Sequence, residues 1–269
     1  MIEIVGYIGA LLIGLSLGLI GGGGSILTVP VLAYLFGLTP VMATAYSLFV
    51  VGTTSLAGSY SFYKRGLVSL KTAVVFGIPA MAMVYATRAF IVPAIPDSIA
   101  TLGDFEVTKG ILIMVLFAVL MIFASFTMVI GRKKVSPDVG GDKPQKQKFN
   151  YPGILLEGVV VGFLTGLVGA GGGFLIIPAL VIFSKLDMKM AVGTSLLIIA
   201  AKSLFGFLGD IENYDIEWGF LLLFTGISIV GILIGSALST KIDGDKLKKG
   251  FGYFVLVMGL YILIKELFF

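Results

Sequence analysis

A glycine tract that occurs twice constrains this chain more than any other feature. Gly18-Leu-Ile-Gly-Gly-Gly-Gly-Ser-Ile-Leu-Thr-Val-Pro30 returns 148 positions later as Gly166-Leu-Val-Gly-Ala-Gly-Gly-Gly-Phe-Leu-Ile-Ile-Pro178, with 8 identities over the 15 residues from 18 to 32. The same offset aligns Met42-Ala-Thr-Ala-Tyr-Ser-Leu through Gly58 with Met190-Ala-Val-Gly-Thr-Ser-Leu through Gly206, with 7 identities in 17. Two halves therefore share one plan. Glycines this dense inside an apolar run break a helix and bare its amides, which hydrocarbon tolerates only where protein or a cavity surrounds them. A helix broken at the same place in both halves is the pattern of a transporter's midplane site.

The surrounding sequence places the chain in a membrane. Of its 269 residues 58% are hydrophobic and the mean hydropathy is +1.08, outside the range of soluble domains. Apolar runs near 68–92, 107–130, 190–209, 216–239 and 250–264 are long enough to cross as helices, and a further helix bearing several hydroxyls runs from Val41 to about Phe62. The expected fold is an all-α integral membrane protein of two repeats, 1–130 and 151–269. The polar, basic stretch 131–150 joins them as a cytoplasmic linker.

Composition also removes alternatives. There is no cysteine and no histidine, and neither HExxH nor GxSxG occurs, which leaves an enzyme little to work with. No cofactor is called for. The net charge of +4 sits in short loops, where positive-inside bias explains it without nucleic acid. The N-terminus lacks a basic n-region, so the first helix is expected to be retained.

Charge decides the topology. The tracts after each break, Ser25 to Phe36 and 174–184, are too short to span. If 4–36 and 152–184 each crossed once, basic residues would divide ten inside to seven outside. If each is a hairpin of two half-helices, three full spans remain per half, the second half inverts, and the division becomes fifteen to two. Positive-inside bias selects the inverted pair, with both termini outside the inner membrane. Equivalent loops of opposite charge agree: Lys64, Arg65 and Lys71 correspond to a segment holding Glu212, Asp215 and Glu217.

Both glycine tracts, with the Met-Ala-x-x-x-Ser-Leu segments that follow Pro30 and Pro178, resemble the sulfite exporter TauE/SafE family of membrane permeases. The resemblance covers the chain apart from the linker. It implies export or uptake of small anions, usually sulfite, sulfonates such as sulfoacetate, or other sulfur oxyanions. The copies differ where Gly22 and Ser25 face Ala170 and Gly173, so the half-sites are not equivalent.

Helix N-termini favour an anion without any cation. The candidate binding residues are Gly21, Gly22, Gly23, Gly24, Ser25 and Thr28 in the first half and Gly169, Ala170, Gly171, Gly172 and Gly173 in the second. Hydroxyls of Ser47, Thr194 and Ser195 complete the set. Lys202, whose repeat counterpart is Thr54, would give one half a positive charge, either facing the cavity or snorkelling. Arg88, a turn before Pro93, is expected to snorkel to the interface, and Glu157 is a weaker candidate for proton or other ion coupling. The expected function is a secondary transporter of a small anion by alternating access. A channel-like anion pathway and a non-transporting structural subunit are the alternatives. Outward-facing glycine pairs leave a homo-oligomer open.

The topology is directly testable. A cysteine placed at position 1 or 269 should react with an impermeant thiol reagent from outside; reaction only from the cytoplasmic face would reverse the assignment.

Overall fold

The computed structural model describes residues 2–102, 105–129, 151–184, 186–239 and 244–268. The linker expected at 131–150 lies outside the described residues. Helix α1 (Ile2–Ile20) runs into a 3-10 segment (Gly22–Leu27) and then α2 (Thr28–Leu35). After these come α3 (Pro40–Lys64) and α4 (Leu70–Ala86), the latter extended by a π turn (Thr87–Ile91) and α5 (Val92–Ala94). Strands β1 (Ser98–Leu102) and β2 (Phe105–Thr108) precede α6 (Lys109–Val129). The second half holds α7 (Tyr151–Val168), α8 (Gly173–Phe183), α9 (Met188–Ile211), α10 (Trp218–Leu238) and α11 (Gly244–Phe268).

Among the described residues six helices are long and apolar enough to cross a membrane: Pro40–Lys64, Leu70–Ala94, Lys109–Phe126, Met188–Ile211, Trp218–Leu238 and Lys249–Phe268. The protein is a multi-pass helical membrane protein. One departure from a purely helical chain lies in the connection at 98–108, where β1 and β2 pair antiparallel. The β-branched side chains of Ile99, Thr101, Val107 and Thr108 favour extended backbone, and the expected loop becomes a short hairpin.

Local chemistry sets several boundaries. Thr39 accepts a hydrogen bond from the Met42 amide and Pro40 opens α3, where its missing N–H costs nothing. Ser69 caps α4 in the same way through the Thr72 amide. Large apolar side chains such as Ile4, Leu12, Leu222, Leu233 and Val257 stay exposed, the expected covering of a lipid-facing surface.

The halves pack reciprocally. A Cβ on Gly14 of α1 would strike the carbonyl oxygen of Ser228 on α10. Its counterpart Gly162 on α7 meets the carbonyl of Ala80 on α4, and Ala80 is the counterpart of Ser228. Gly58 packs against Ile232 and Leu196, while Gly206 packs against Val84 and Leu48, the same pairs shifted by one repeat. Contacts that return with the halves exchanged require a twofold relation between them. The small residues allow it, because close backbone approach substitutes for a hydrophobic drive that lipid does not provide.

Helices α3 and α9 meet at this twofold. Contacts pair Phe49 with Phe207, Gly52 with Leu204, Gly58 with Leu196 and Phe62 with Gly193. Residue numbers rise along one helix as they fall along the other, so the two counterparts run antiparallel. Along α1 and α10 the pairs Ala10 with Ser228 and Gly18 with Gly235 rise together, so those helices run parallel. Helix α2 turns back along α1, bringing Phe36 to Gly6 and Val31 to Gly9.

Substitutions at the two kinds of glycine should separate cleanly. Gly14→Val or Gly162→Val forces helix backbones apart and should cost about 3 kcal/mol or more, read as lost monodispersity and lowered melting temperature in detergent. Gly226 faces open space in α10. Gly226→Ala should leave the melting temperature unchanged or raise it, since helical alanine is favoured by roughly 1 kcal/mol.

Candidate anion site

Two glycine loops meet at the twofold. Each first half-helix closes its last turn alike, Gly21 N–H donating to Leu17 O and Gly169 N–H to Thr165 O, both at 2.9 Å. The chain then turns through positive φ, 78° at Gly21 and 66°, 65° and 67° at Gly169, Gly171 and Gly172. Only glycine accepts those angles without strain. The loops then diverge. In place of the short α-helix expected near Gly24, the first winds as a 3-10 segment through Gly23 and Gly24, with regular α-helix only from Thr28. The Ser25 hydroxyl donates back to Gly22 O, a local bond that holds the tighter turn. The second loop enters α8 directly at Gly173, with the Leu175 and Ile176 amides on Gly172 O.

Gly22 and Gly173 touch backbone to backbone: a Cβ on either would overlap the other's main chain. The one Ser25 hydroxyl proton is shared between Gly22 O and Ala170 O, and Ser47 donates to Gly169 O at 2.7 Å. These two hydroxyls therefore carry the second loop on carbonyls. Gly171 lies against Val51 and Ser25, and Gly24 against Ser16 and Leu17. Thr28 is fully buried with no hydrogen-bond partner for its hydroxyl. Two expected members bond to residues outside the glycine loops. Thr194 accepts from the Ser69 amide at the start of α4, and Ser195 donates to Val192 O on its own helix.

Lys202 is fully buried in α9. Its Nζ donates to Thr165 Oγ1 at 2.7 Å and lies 3.4 Å from where a Gly172 Cβ would stand. The side-chain nitrogen thus rests against the N-cap of α8, where helix amides already carry partial positive charge. Among the described residues no carboxylate is within ion-pair distance of it. Thr165 is a site residue that the sequence reading missed. Its counterpart, Leu17, is apolar, so comparing the repeats gave no signal beyond a lone threonine one turn before the break.

Arg88 corrects an expectation. It does not snorkel: the side chain is fully buried, with Nε 2.8 Å from both carboxylate oxygens of buried Asp210. Nη1 donates to Thr44 Oγ1 at 3.0 Å and to Gly166 O at 3.3 Å. The helix ends at Ala94, close to the end expected near Pro93; what holds Arg88 inside is its set of partners, Thr44 on α3, Gly166 on α7 and Asp210 on α9. Glu157 is half-buried on α7.

An apolar hollow of about 240 Å³ between α4 and α9, lined by Gly77, Ile78, Met81 and Leu197, offers an anion no donor and lies apart from these loops.

The chain is similar to known proteins over nearly its whole length. The model of the sulfite exporter TauE/SafE family matches residues 7–262. The chain belongs to the TauE/SafE family. A probable membrane transporter protein of Xylella fastidiosa (strain Temecula1) is 29% identical over 255 residues, covering 94% of this chain and 91% of that one. The YunE probable membrane transporter protein of Bacillus subtilis is 26% identical and covers 93% of each chain. A probable membrane transporter protein of Methanocaldococcus jannaschii is 28% identical, with 98% of this chain and 95% of that one covered. No solved structure matches. Membership of TauE/SafE makes this chain a membrane transporter, and both glycine loops fall inside the matched region.

In this TauE/SafE protein Gly22→Ala or Gly173→Ala should part the loops and abolish specific anion binding. Isothermal titration of monodisperse variants checks this; wild-type affinity would show that the loops tolerate separation.

Proposed function

We propose that this protein is a secondary transporter of a small anion, of the sulfur oxyanion or organosulfonate class that includes sulfite and sulfoacetate. The anion is held between the two glycine loops, and alternating access moves it across the inner membrane. The observation that carries this reading is Lys202. A buried ammonium set against a helix N-terminus, with no carboxylate beside it, concentrates positive charge where hydrocarbon would otherwise forbid it. The other fully buried cation among the described residues, Arg88, already has Asp210. An anion at Lys202 is the partner that balances the interior.

The inverted-topology architecture is part of the proposal. The antiparallel run of α3 against α9, the reciprocal glycine contacts and the return of α2 along α1 support two oppositely oriented repeats, 1–130 and 151–269. Each consists of a broken-helix hairpin and three spans, and both termini lie outside. Such a pair offers two exchangeable access states, which favours a carrier over a channel. Proton or other ion coupling and homo-oligomer formation belong to the proposal as features to be measured.

Uptake into proteoliposomes should be assayed for sulfite, thiosulfate, sulfate, sulfoacetate, taurine and simple carboxylates, with and without a pH gradient. Saturable uptake that a counter-gradient drives uphill supports the carrier; flux that never runs uphill indicates a channel, and no flux a structural subunit. Lys202→Met should weaken binding of the transported anion by about 1–2 kcal/mol, more at low ionic strength, since close charges in a partly wet cavity gain roughly 4 kcal/mol before desolvation. Calorimetry that finds wild-type affinity in a well-folded Lys202→Met protein would remove Lys202 from the site.

A further inference from the structure

Arg88 and Asp210 take no part in the site at Lys202, yet they are buried to the same degree. A buried ion pair contributes little net stability, because desolvation offsets the attraction. Its position shows what else it does. From the π turn Thr87–Ile91 the guanidinium reaches Val41 O and Thr44 Oγ1 in the first turns of α3, and Gly166 O just before the second glycine loop. Ser47, one turn further along α3, already holds Gly169 O. The pair therefore lies between the loops and the face of the membrane at which α3 begins and α9 ends.

The arrangement is one-sided. The counterparts of Arg88, Asp210, Thr44 and Gly166 are Ser236, Phe62, Val192 and Gly18, none of them charged. On that side Val192 packs against Gly21, and Phe62 against Gly193. It is also joined to the anion site. Lys202 is held by Thr165 and Arg88 by the next residue, Gly166, so the end of α7 touches both cations.

We propose that Arg88 and Asp210 form the closed gate on the face where α3 begins, and that the travelling anion replaces Asp210 on the guanidinium when this face opens. The inference rests on the transport reading above. A guanidinium receives a carboxylate and an oxyanion through the same planar fork, so the exchange leaves Arg88 paired throughout. Asp210 stands at the last turn of α9, next to exposed Ile211 and Glu212, and reaches water by a short displacement. The π turn under Arg88 supplies a helix that can rewind, as such turns do at functional sites.

The chain has no cysteine, so Ser47→Cys places a unique thiol behind the gate. A membrane-impermeant methanethiosulfonate added from that face should label it slowly with the pair intact. Asp210→Asn should speed labelling about tenfold as the open fraction rises. Arg88→Gln with Asp210→Asn, which leaves no bare charge, should do the same, and should let radiolabelled sulfite or thiosulfate run downhill without accumulating. A second measurement needs no charge change. A Cβ on Gly209 would stand 3.3 Å from Ala89 Cβ, close to the span of a disulfide. In Ala89→Cys with Gly209→Cys, oxidation should stop flux and dithiothreitol should restore it. Full flux through cross-linked protein, or unchanged labelling in both neutralised variants, overturns the gate while transport stands. Absence of wild-type flux for every anion tested overturns the transport reading and the gate with it.

Discussion

The contact on which this structure depends is the approach of Gly22 to Gly173. Two interrupted helices meet there backbone to backbone at these two residues, and the polar groups they bare must be answered by protein or line a cavity. Ser25 and Ser47 answer for the second loop, each donating to one of its carbonyls. The long helices then arrange themselves around that junction, α3 crossing α9 at the twofold and the outer pairs α1 with α10 and α4 with α7 locked by small residues. Remove the glycines and the helices lose both their break and their separation.

Placing charge in such an interior is costly, about 2.5–3.5 kcal/mol for a single side chain at a helix centre on insertion scales. This protein buries three among its described residues, Arg88, Lys202 and Asp210. Two neutralise each other and the third does not. The unequal pairing sets an ion pair closed within the protein apart from a lysine with no carboxylate beside it among the described residues, although both cations are tied to neighbouring residues of α7.

Much of the architecture was legible because duplication wrote it twice. The offset of 148 predicts which helices correspond, and the six spans follow from apolar length alone. What escaped was depth. Asp210 stands at the end of an apolar run, where a loop is expected, while Arg88 stands before a proline that ordinarily ends a helix; each is held within the protein by the other, a contact between α9 and the π turn. Thr165 escaped for a different reason, since a hydroxyl in a membrane helix is usually satisfied by its own backbone, and Thr165 does donate to Val161 O while accepting from Lys202. Sequence carries residue type and spacing, whereas the lysine that sets Thr165 apart from other membrane threonines comes from another helix.

That only one half buries a lysine among the described residues bears on why both halves are carried on one chain. In a twofold dimer of identical subunits every side chain near the axis appears twice, so the charge lining a shared site can only be even. A central lysine would bring a second like charge toward the same small space, and a singly charged guest would leave one of them unmatched. Covalent joining lifts that parity rule, because position 202 can hold a cation while position 54 holds a neutral threonine. Fusion of the halves thereby permits an odd charge in a nearly twofold interior, which a pair of identical subunits could not hold.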